Sequence, residues 1–151
     1  MVKNVIYIAI YLCFFLIIKK DIKEKIIPNK YNLLLLILGC LLGKIDLTLT
    51  KQLLGACVYS SPFMLIYGYG SDLLEKECLG FGDVKLAFSI GSLIGYNGFY
   101  GVLIYLNLTF VGASLFYIGY YILKKEKISE IALGPFLIFA YIFEQFGSLY
   151  V

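Results

Sequence analysis

Between Phe99 and Leu123 the chain reads FYGVLIYLNLTFVGASLFYIGYYIL, a run without a charged side chain. A helix needs about 20 apolar residues to cross the hydrocarbon of a bilayer, and this run is long enough. Because a lipid-facing backbone must satisfy its own hydrogen bonds, such a run predicts a helix. Further apolar runs lie on both sides of it, at Val5–Ile18, Leu33–Leu42, Leu53–Tyr69, Leu86–Tyr96 and Ile131–Phe146. We therefore predict an all-α, polytopic membrane protein with six transmembrane helices in one bundle, forming a single domain over residues 1–151.

The composition of the whole chain favours the same interpretation. Hydrophobic residues make up 61% of the 151 positions, and the mean hydropathy is +0.88. A soluble domain is roughly half apolar and would not bury this much hydrophobic surface. The first, second and fourth runs are shorter than a full span, so flanking residues must extend them. Lys19 and Lys20 can do so at the first run by sending their ammonium groups to the lipid headgroups.

Cysteine and lysine usage narrows the possible functions. The four cysteines, Cys13, Cys40, Cys57 and Cys78, form no C-x-x-C pair. We therefore predict neither a disulfide nor a metal site, and interpret them as small buried hydrophobic residues. All 13 basic residues are lysines in separate segments, so no single basic face is predicted to bind nucleic acid.

The lysines also predict an orientation. With the N-terminus outside, the first, third and fifth connections face the cytoplasm, and cytoplasmic connections of membrane proteins are enriched in basic residues. These three connections hold nine lysines, namely Lys19, Lys20, Lys23, Lys25, Lys30, Lys76, Lys124, Lys125 and Lys127. The opposite side holds only Lys3, Lys44 and Lys51, with Lys85 left out at the start of a span. We predict that both termini lie outside and that Asp21 and Asp83 lie at the cytoplasmic face.

The residue types present restrict the chemistry. The chain has no histidine, which excludes Ser-His and Cys-His pairs and His-ligated zinc. Acid–base chemistry is left to carboxylates, lysines and tyrosines. Asp83 is the most notable carboxylate because Gly80 and Gly82 frame it directly before the fourth apolar run. The glycines permit a sharp turn and the approach of another backbone, although an aspartate that caps a helix after a glycine turn explains the same pattern.

Three segments resemble the motifs of a known family. The sequence GFGDVKL at Gly80–Leu86 is similar to the G-x-G-D-x-K-L segment of type IV prepilin peptidases, the bacterial relatives of the archaeal preflagellin peptidases. DIKEKIIPN at Asp21–Asn29 resembles the first motif of this family, and GPFL at Gly134–Leu137 resembles a further segment. The matches occur in the family's order over most of the chain. The resemblance implies a location in the inner (plasma) membrane of a prokaryote.

The resemblance also implies roles for individual residues. Asp21 and Asp83 match the two catalytic aspartates of these intramembrane aspartyl peptidases. The residues predicted to bind substrate or shape the site are Gly80, Gly82, Lys85, Pro28, Asn29, Gly134 and Pro135. For Pro28, Asn29 and Pro135, a purely structural role at helix starts explains the pattern equally well, and Pro135 is expected to begin or kink the last helix. Longer family members carry a cytoplasmic segment with paired cysteines that is associated with methyl transfer, so methyltransferase activity is not predicted here.

The implied function is the removal of a short basic leader from type IV prepilin-like precursors embedded in the lipid bilayer. Two nearby carboxylates cannot both ionise easily, so they would share a proton and supply a base and an acid together. No metal or organic cofactor is expected, and no oligomeric state is predicted. Acidic residues near the site, such as Glu24, Asp72, Glu75 and Glu77, are interpreted first as solubilising groups and second as contacts for leader lysines.

Two other classes of protein fit parts of the sequence. A small membrane carrier or ion-coupled transporter could use Asp21 and Asp83 as ion ligands or proton relays. Both acids are predicted at one face of the membrane, however, whereas a proton relay needs ionisable groups deep within the membrane. A structural scaffold of a secretion or pilus machine would leave the glycine-framed Asp83 unexplained. Glu144, near the end of the last run, is interpreted as an anchor at the membrane interface.

Overall fold

A computed structural model describes residues 2–46, 48–75, 79–125 and 131–147. Its α-helices are α1 (Val2–Glu24), α2 (Asn29–Asp46), α3 (Leu49–Leu65), α4 (Ser71–Leu74), α5 (Phe81–Ile94), α6 (Phe99–Lys124) and α7 (Gly134–Gly147). A π-helical turn, Ile66–Gly70, joins α3 to α4 without a break. These residues include no strand, which confirms the predicted all-α class. The expectations for Lys76, Glu77, Cys78 and Lys127 fall outside the described residues.

Local sequence explains where the helices near the predicted site begin. The carbonyl of Pro28 accepts a hydrogen bond from the N–H of Tyr31 at 3.1 Å, so α2 starts directly after this proline. The Leu133 carbonyl accepts from the N–H of Leu137 at 3.1 Å at the start of α7. Pro135 therefore lies in the first turn, where its missing N–H has no helical partner to lose. Pro135 begins this helix and does not kink it.

The first helix extends further than the sequence indicated. The connection after the first apolar run was predicted to contain Asp21 as a loop residue, but α1 continues to Glu24. An ion pair between Lys20 and Glu24 at 3.4 Å supports this last turn. The helix ends where Lys25 adopts a left-handed conformation with φ of 52°. Asp21 is consequently held on a helix and not on a flexible connection.

α5 lies at the centre of the bundle and contacts α2, α3 and α7. Leu86, Ala87 and Ile90 on this helix are fully buried. Gly91 of α5 lies against α3, where a Cβ atom in its place would be 2.8 Å from the Cβ of Tyr59 and 3.0 Å from the carbonyl carbon of Gly55. Small residues of this kind let two helix backbones approach closely, as in membrane helix pairs. α5 is thereby held closely against α3 and packs between three neighbouring helices.

The surface of the bundle agrees with a membrane protein. Among the described helices, α6 is the one whose length and apolar composition suffice to cross a bilayer, whereas α2 is apolar but shorter over Asn29–Leu42. Large apolar side chains on α1 and α6 are exposed, for example Phe15 at 67% and Leu123 at 85%. Exposing many large apolar side chains is disfavoured in water. The count of six spans and their orientation stay predictions.

Two smaller predictions concern Glu144 and the cysteines. Glu144 accepts a hydrogen bond from the Tyr59 hydroxyl at 2.8 Å, so its carboxylate is bound by a neighbouring helix, and its place at the membrane interface stays a prediction. Gly101 of α6 leaves room for it, since a Cβ there would lie 3.0 Å from the Glu144 carboxylate. Cys13 is buried as predicted, but Cys40 and Cys57 are exposed. Their side chains lie on helix faces that the described part of the bundle does not cover.

Candidate active site

Asp21 lies in the last turn of α1 and is only 4% exposed. Its Oδ2 accepts a hydrogen bond from the backbone N–H of Gly134 at 3.0 Å. This N–H belongs to the first turn of α7, whose donors have no partner within the helix. The positive end of the helix dipole also favours a carboxylate at this point. α7 therefore supplies the local compensation for burying Asp21.

Gly134 is a glycine because of this contact. A Cβ atom at position 134 would lie 2.6 Å from Asp21 Oδ2 and 3.3 Å from its carboxyl carbon. Real Cβ atoms do not approach other atoms so closely, so any other residue would displace the carboxylate. The GPFL segment thus positions Asp21, a relation between two motifs far apart in the sequence.

Asp83 is the third residue of α5, which begins after the N-cap Gly80. The Asp83 N–H donates to the Gly80 carbonyl at 3.0 Å, and the Gly80 backbone donates a hydrogen bond to the Asp83 carboxylate. An acidic residue that reaches back to the N-cap in this way forms half of a capping box. Asp83 therefore does stabilise the helix start, but from the third position and not as the N-cap itself. Its Oδ1 is buried and has no hydrogen-bond partner among the described residues.

The two carboxyl groups affect each other electrostatically. Asp21 and Asp83 lie beyond the ends of the apolar runs Val5–Ile18 and Leu86–Tyr96. Burial raises the pKa of Asp83, and the nearby charge of Asp21 raises it further, to about 7 from the usual 3.8, while the Gly80 hydrogen bond opposes the change. Burial also raises the pKa of Asp21, and the N–H of Gly134 acts in the opposite direction. At neutral pH the pair can therefore hold one proton between two carboxyl groups.

Ile27 packs between the start of α5, which carries Asp83, and the start of α7, which binds Asp21. A Cβ at Gly82 would lie 3.1 Å from the Ile27 Cβ, and a Cβ at Gly134 would lie 3.5 Å from its Cδ1. The side chain is 7% exposed, and it contacts the starts of α5 and α7. The space at Gly82 is thus occupied by Ile27, whereas the sequence had predicted that a substrate backbone approaches there. Sequence reasoning missed Ile27, although an apolar residue in a polar connection directly before Pro28 was a usable signal.

The other predicted residues form a second contact beside the pair. Lys85 Nζ donates to Asn29 Oδ1 at 3.0 Å and lies 4.7 Å from the centroid of the Phe81 ring. Lys85 and Asn29 therefore bind each other and join the start of α5 to the start of α2. Pro28 and Pro135 act at the starts of their helices. All the predicted site residues thus lie on the segments that meet at one end of the bundle.

Comparison with known proteins identifies the class of this bundle. The model of the type IV leader peptidase family matches residues 8–122. The chain therefore belongs to this family, and the resemblance seen in the sequence is confirmed.

Individual relatives agree with this assignment. A prepilin leader peptidase/N-methyltransferase of Xanthomonas campestris pv. campestris is 31% identical over 123 residues, which cover 80% of this chain and 42% of the relative. The protein of the same name in Escherichia coli K12 is 32% identical over 137 residues, covering 85% of this chain and 57% of the relative. The Pectobacterium carotovorum protein is 28% identical over 119 residues, covering 78% and 42%. The chain thus spans about half the length of these relatives. No solved structure shows significant similarity to it.

Proposed function

We propose that this protein is a membrane-embedded aspartyl endopeptidase that removes the short basic leader from type IV prepilin-like precursors, with Asp21 and Asp83 as its catalytic residues. The observation that carries the proposal is the meeting of two buried carboxyl groups from distant motifs: burial raises the pKa of Asp83, and the nearby charge of Asp21 raises it further, to about 7. The names of the relatives supply the substrate class.

A shared proton gives this pair both functions that peptide hydrolysis requires. The ionised carboxylate takes a proton from a water molecule as its oxygen attacks the scissile carbonyl carbon. The protonated carboxyl group donates a hydrogen bond to the carbonyl oxygen, and a proton passes to the departing amine as the C–N bond breaks. The pair titrates as a unit, so the two roles belong to the dyad. This reaction needs neither a metal nor an organic cofactor, and methyl transfer is not part of the proposal.

The location of the pair fits a substrate that crosses the membrane. We place the six spans with the N-terminus outside, so that Asp21 and Asp83 lie at the cytoplasmic face of the inner membrane. The lysine distribution supports this orientation. The end of α1 and the starts of α2, α5 and α7 meet at the site, through the contacts of Asp21 with Gly134 and of Gly82 with Ile27. A leader that emerges into the cytoplasm would present its junction with the apolar helix at this level.

The test uses purified protein in lipid vesicles and a prepilin-like peptide with a basic leader that ends in glycine. Mass spectrometry should locate a single cut after that glycine. Asp21→Asn and Asp83→Asn should each reduce the rate by about a hundredfold or more, since each removes one half of the acid–base pair. Thermal unfolding should show that both variants remain folded.

Asp46→Asn is the matched control, because Asp46 ends α2 at the opposite end from Asn29. This variant should cleave at the wild-type rate. Near-normal cleavage by either Asp21→Asn or Asp83→Asn would refute the dyad. If wild-type protein leaves the peptide uncut and instead shows ion flux that depends on both aspartates, the protein is a carrier.

A further inference from the structure

A groove lies beside the start of α5, between this helix, α2 and α3. Its volume is about 520 Å³. Apolar side chains dominate its lining, among them Leu33, Leu36, Met64, Val84 and Phe88. Lys85 and Lys30 also line it. Because Phe81 and Val84 flank Asp83 in the sequence and line the groove, the groove adjoins the proposed dyad.

Asn32 is the unusual residue in this lining. Its side chain is 4% exposed, and neither Nδ2 nor Oδ1 has a hydrogen-bond partner among the described residues. Its backbone is fixed, since the Asn32 carbonyl accepts a hydrogen bond from Ser89 Oγ at 3.2 Å. A buried carboxamide without partners destabilises a protein unless a ligand satisfies it.

The serines in the same lining do not share this property. Ser60 Oγ donates to the Ala56 carbonyl at 2.8 Å, and Ser89 Oγ lies 3.0 Å from the Lys85 carbonyl. Both hydroxyl groups are thus satisfied by the protein itself. The carboxamide of Asn32 is the polar group in the described lining that is both buried and without a partner.

The chemistry of a carboxamide indicates what would satisfy it. It places an acceptor and a donor hydrogen side by side on one edge, which complements the N–H and C=O of a single residue in an extended peptide chain. A lipid acyl chain offers neither a donor nor an acceptor, and a phosphate offers acceptors only. A peptide segment with apolar side chains satisfies both the carboxamide and the apolar walls.

We propose that Asn32 binds the backbone of one substrate residue in the apolar segment that follows the cut, with Nδ2 donating to the carbonyl of that residue and Oδ1 accepting from its N–H. This inference rests on the proposed function. Ser89, which contacts Asn32, follows Asp83 by six positions in α5, or about 9 Å along the axis at about 1.5 Å per residue. An extended chain covers this distance in about three residues. The first substrate residues past the cut must therefore be extended. In a helix, their backbone N–H and C=O groups would bond to each other and would not be available to Asn32.

The first experiment compares wild type with Asn32→Leu, a change of similar size that removes both polar atoms. KM for the peptide should rise about tenfold while kcat changes little, since the lost contact is made with substrate and transition state alike. The unfolding temperature should stay the same or rise, because an unsatisfied polar group is replaced by an apolar one. Ser60→Ala, in the same groove, should leave KM unchanged.

The second experiment identifies the substrate atom. Peptides in which one amide N–H at each of the first four positions after the cut is replaced by an ester oxygen are tested with wild type and Asn32→Leu. One ester should weaken binding to wild type and have no such effect in Asn32→Leu. Equal effects in both proteins, an unchanged KM, or a fall in unfolding temperature without coupling to any ester would each overturn the Asn32 contact.

Binding measurements separate this proposal from the proposed function. The dissociation constant of the same peptide is measured on Asp83→Asn protein with and without Asn32→Leu, so no cleavage is required. Absence of cleavage by wild type would refute the peptidase, whereas unchanged binding on adding Asn32→Leu would refute only the contact. If adding Asn32→Leu removes co-purified phospholipid but leaves peptide binding unchanged, the groove binds lipid and the proposal is also overturned.

Discussion

The carboxyl group of Asp83 has two oxygens in different environments. Oδ2 is the atom that faces Gly80, since a Cβ there would lie 3.2 Å from it, while Oδ1 is buried and has no partner among the described residues. The helix start thus holds the carboxyl group in place through Oδ2 and leaves Oδ1 available. A catalytic carboxyl group needs this combination of fixed orientation and an available oxygen.

The raised pKa of Asp83 predicts how activity depends on pH. Below about 7 the pair holds its shared proton, and above this value Asp83 ionises. We therefore expect kcat/KM to fall above about pH 7, approaching a tenfold loss per pH unit. Initial rates of peptide cleavage from pH 5 to 9 measure this limb. A rate that is constant up to pH 9 would contradict the shared proton.

The same shift makes a prediction for stability. The folded protein binds the Asp83 proton more tightly than the unfolded chain, whose pKa is near 3.8. Between about pH 4 and 7 the native state holds more protons, so the free energy of unfolding should fall as pH rises through this window. Asp83→Asn, which has no proton to lose, is the control and should show a smaller fall over the same range.

The contact between Gly134 and Asp21 gives a third prediction at the scale of single residues. Gly134→Ala places a methyl group 2.6 Å from Asp21 Oδ2 and must displace the carboxylate. A shift of about 1 Å in a catalytic group can cost about a hundredfold in rate, so we expect a large loss of cleavage with a small change in unfolding temperature. Gly119→Ala is the control, because nothing lies within 4 Å of a Cβ there. Equal activity of the two variants would show that Gly134 does not position Asp21.

At the scale of helices, the site is built where secondary structure is rigid. Asp21 lies in the last turn of α1 and Asp83 in the first turn of α5, and the start of α7 binds Asp21. α5 is also the helix that contacts α2, α3 and α7. The positions of the two aspartates therefore depend on how closely these helices pack.

The glycine contact between α3 and α5 tests this dependence. Gly91→Val would put a branched side chain against Tyr59 and the Gly55 backbone, which forces the helices apart. Overpacking of this kind costs about 1–3 kcal/mol, so we expect a lower unfolding temperature and a loss of cleavage together. This joint loss differs from the result for Gly134→Ala, where activity alone should fall. Unfolding followed by circular dichroism, beside the cleavage assay, distinguishes the two; unchanged stability in Gly91→Val would contradict the close contact.

At the scale of the whole molecule, the proposal requires both motifs at one face of the membrane. Lys23 is exposed near the end of α1, and Leu79 precedes α5. Two predicted spans separate these positions, so they share a side if both spans cross, and a position between the two spans then lies on the opposite side. Orientation is therefore a direct test of the six-span topology.

Single cysteines at Lys23 and Leu79, in a background without the four native cysteines, measure this orientation. Both should react with a membrane-impermeant thiol reagent only when the cytoplasmic face is accessible, as in inverted vesicles. A cysteine at Lys51, predicted on the opposite side, should react only in right-side-out vesicles. Labelling of positions 23 and 79 from opposite faces would end the aspartyl-peptidase proposal, since a divided pair cannot share a proton.

The sequence by itself determined the all-α class, the family and the start of α2, whereas for Pro135 it left open whether the proline begins or kinks the last helix. Uncharged runs require helices, Pro28 and Pro135 fix local backbone geometry, and the motifs around Asp21 and Asp83 are contiguous in the chain. These features depend on neighbouring residues, which a sequence displays directly.

Only the tertiary structure decided which helix faces meet. The hydrogen bond from Gly134 to Asp21, the packing of Ile27 on Gly82, the binding of Glu144 by Tyr59 and the isolated carboxamide of Asn32 all join distant segments. A helix that is apolar on every side has no polar face to mark its orientation, so the sequence pattern cannot indicate these pairs. They are set by close packing of small residues and by the need to satisfy buried polar groups, and both conditions exist only once the helices are assembled.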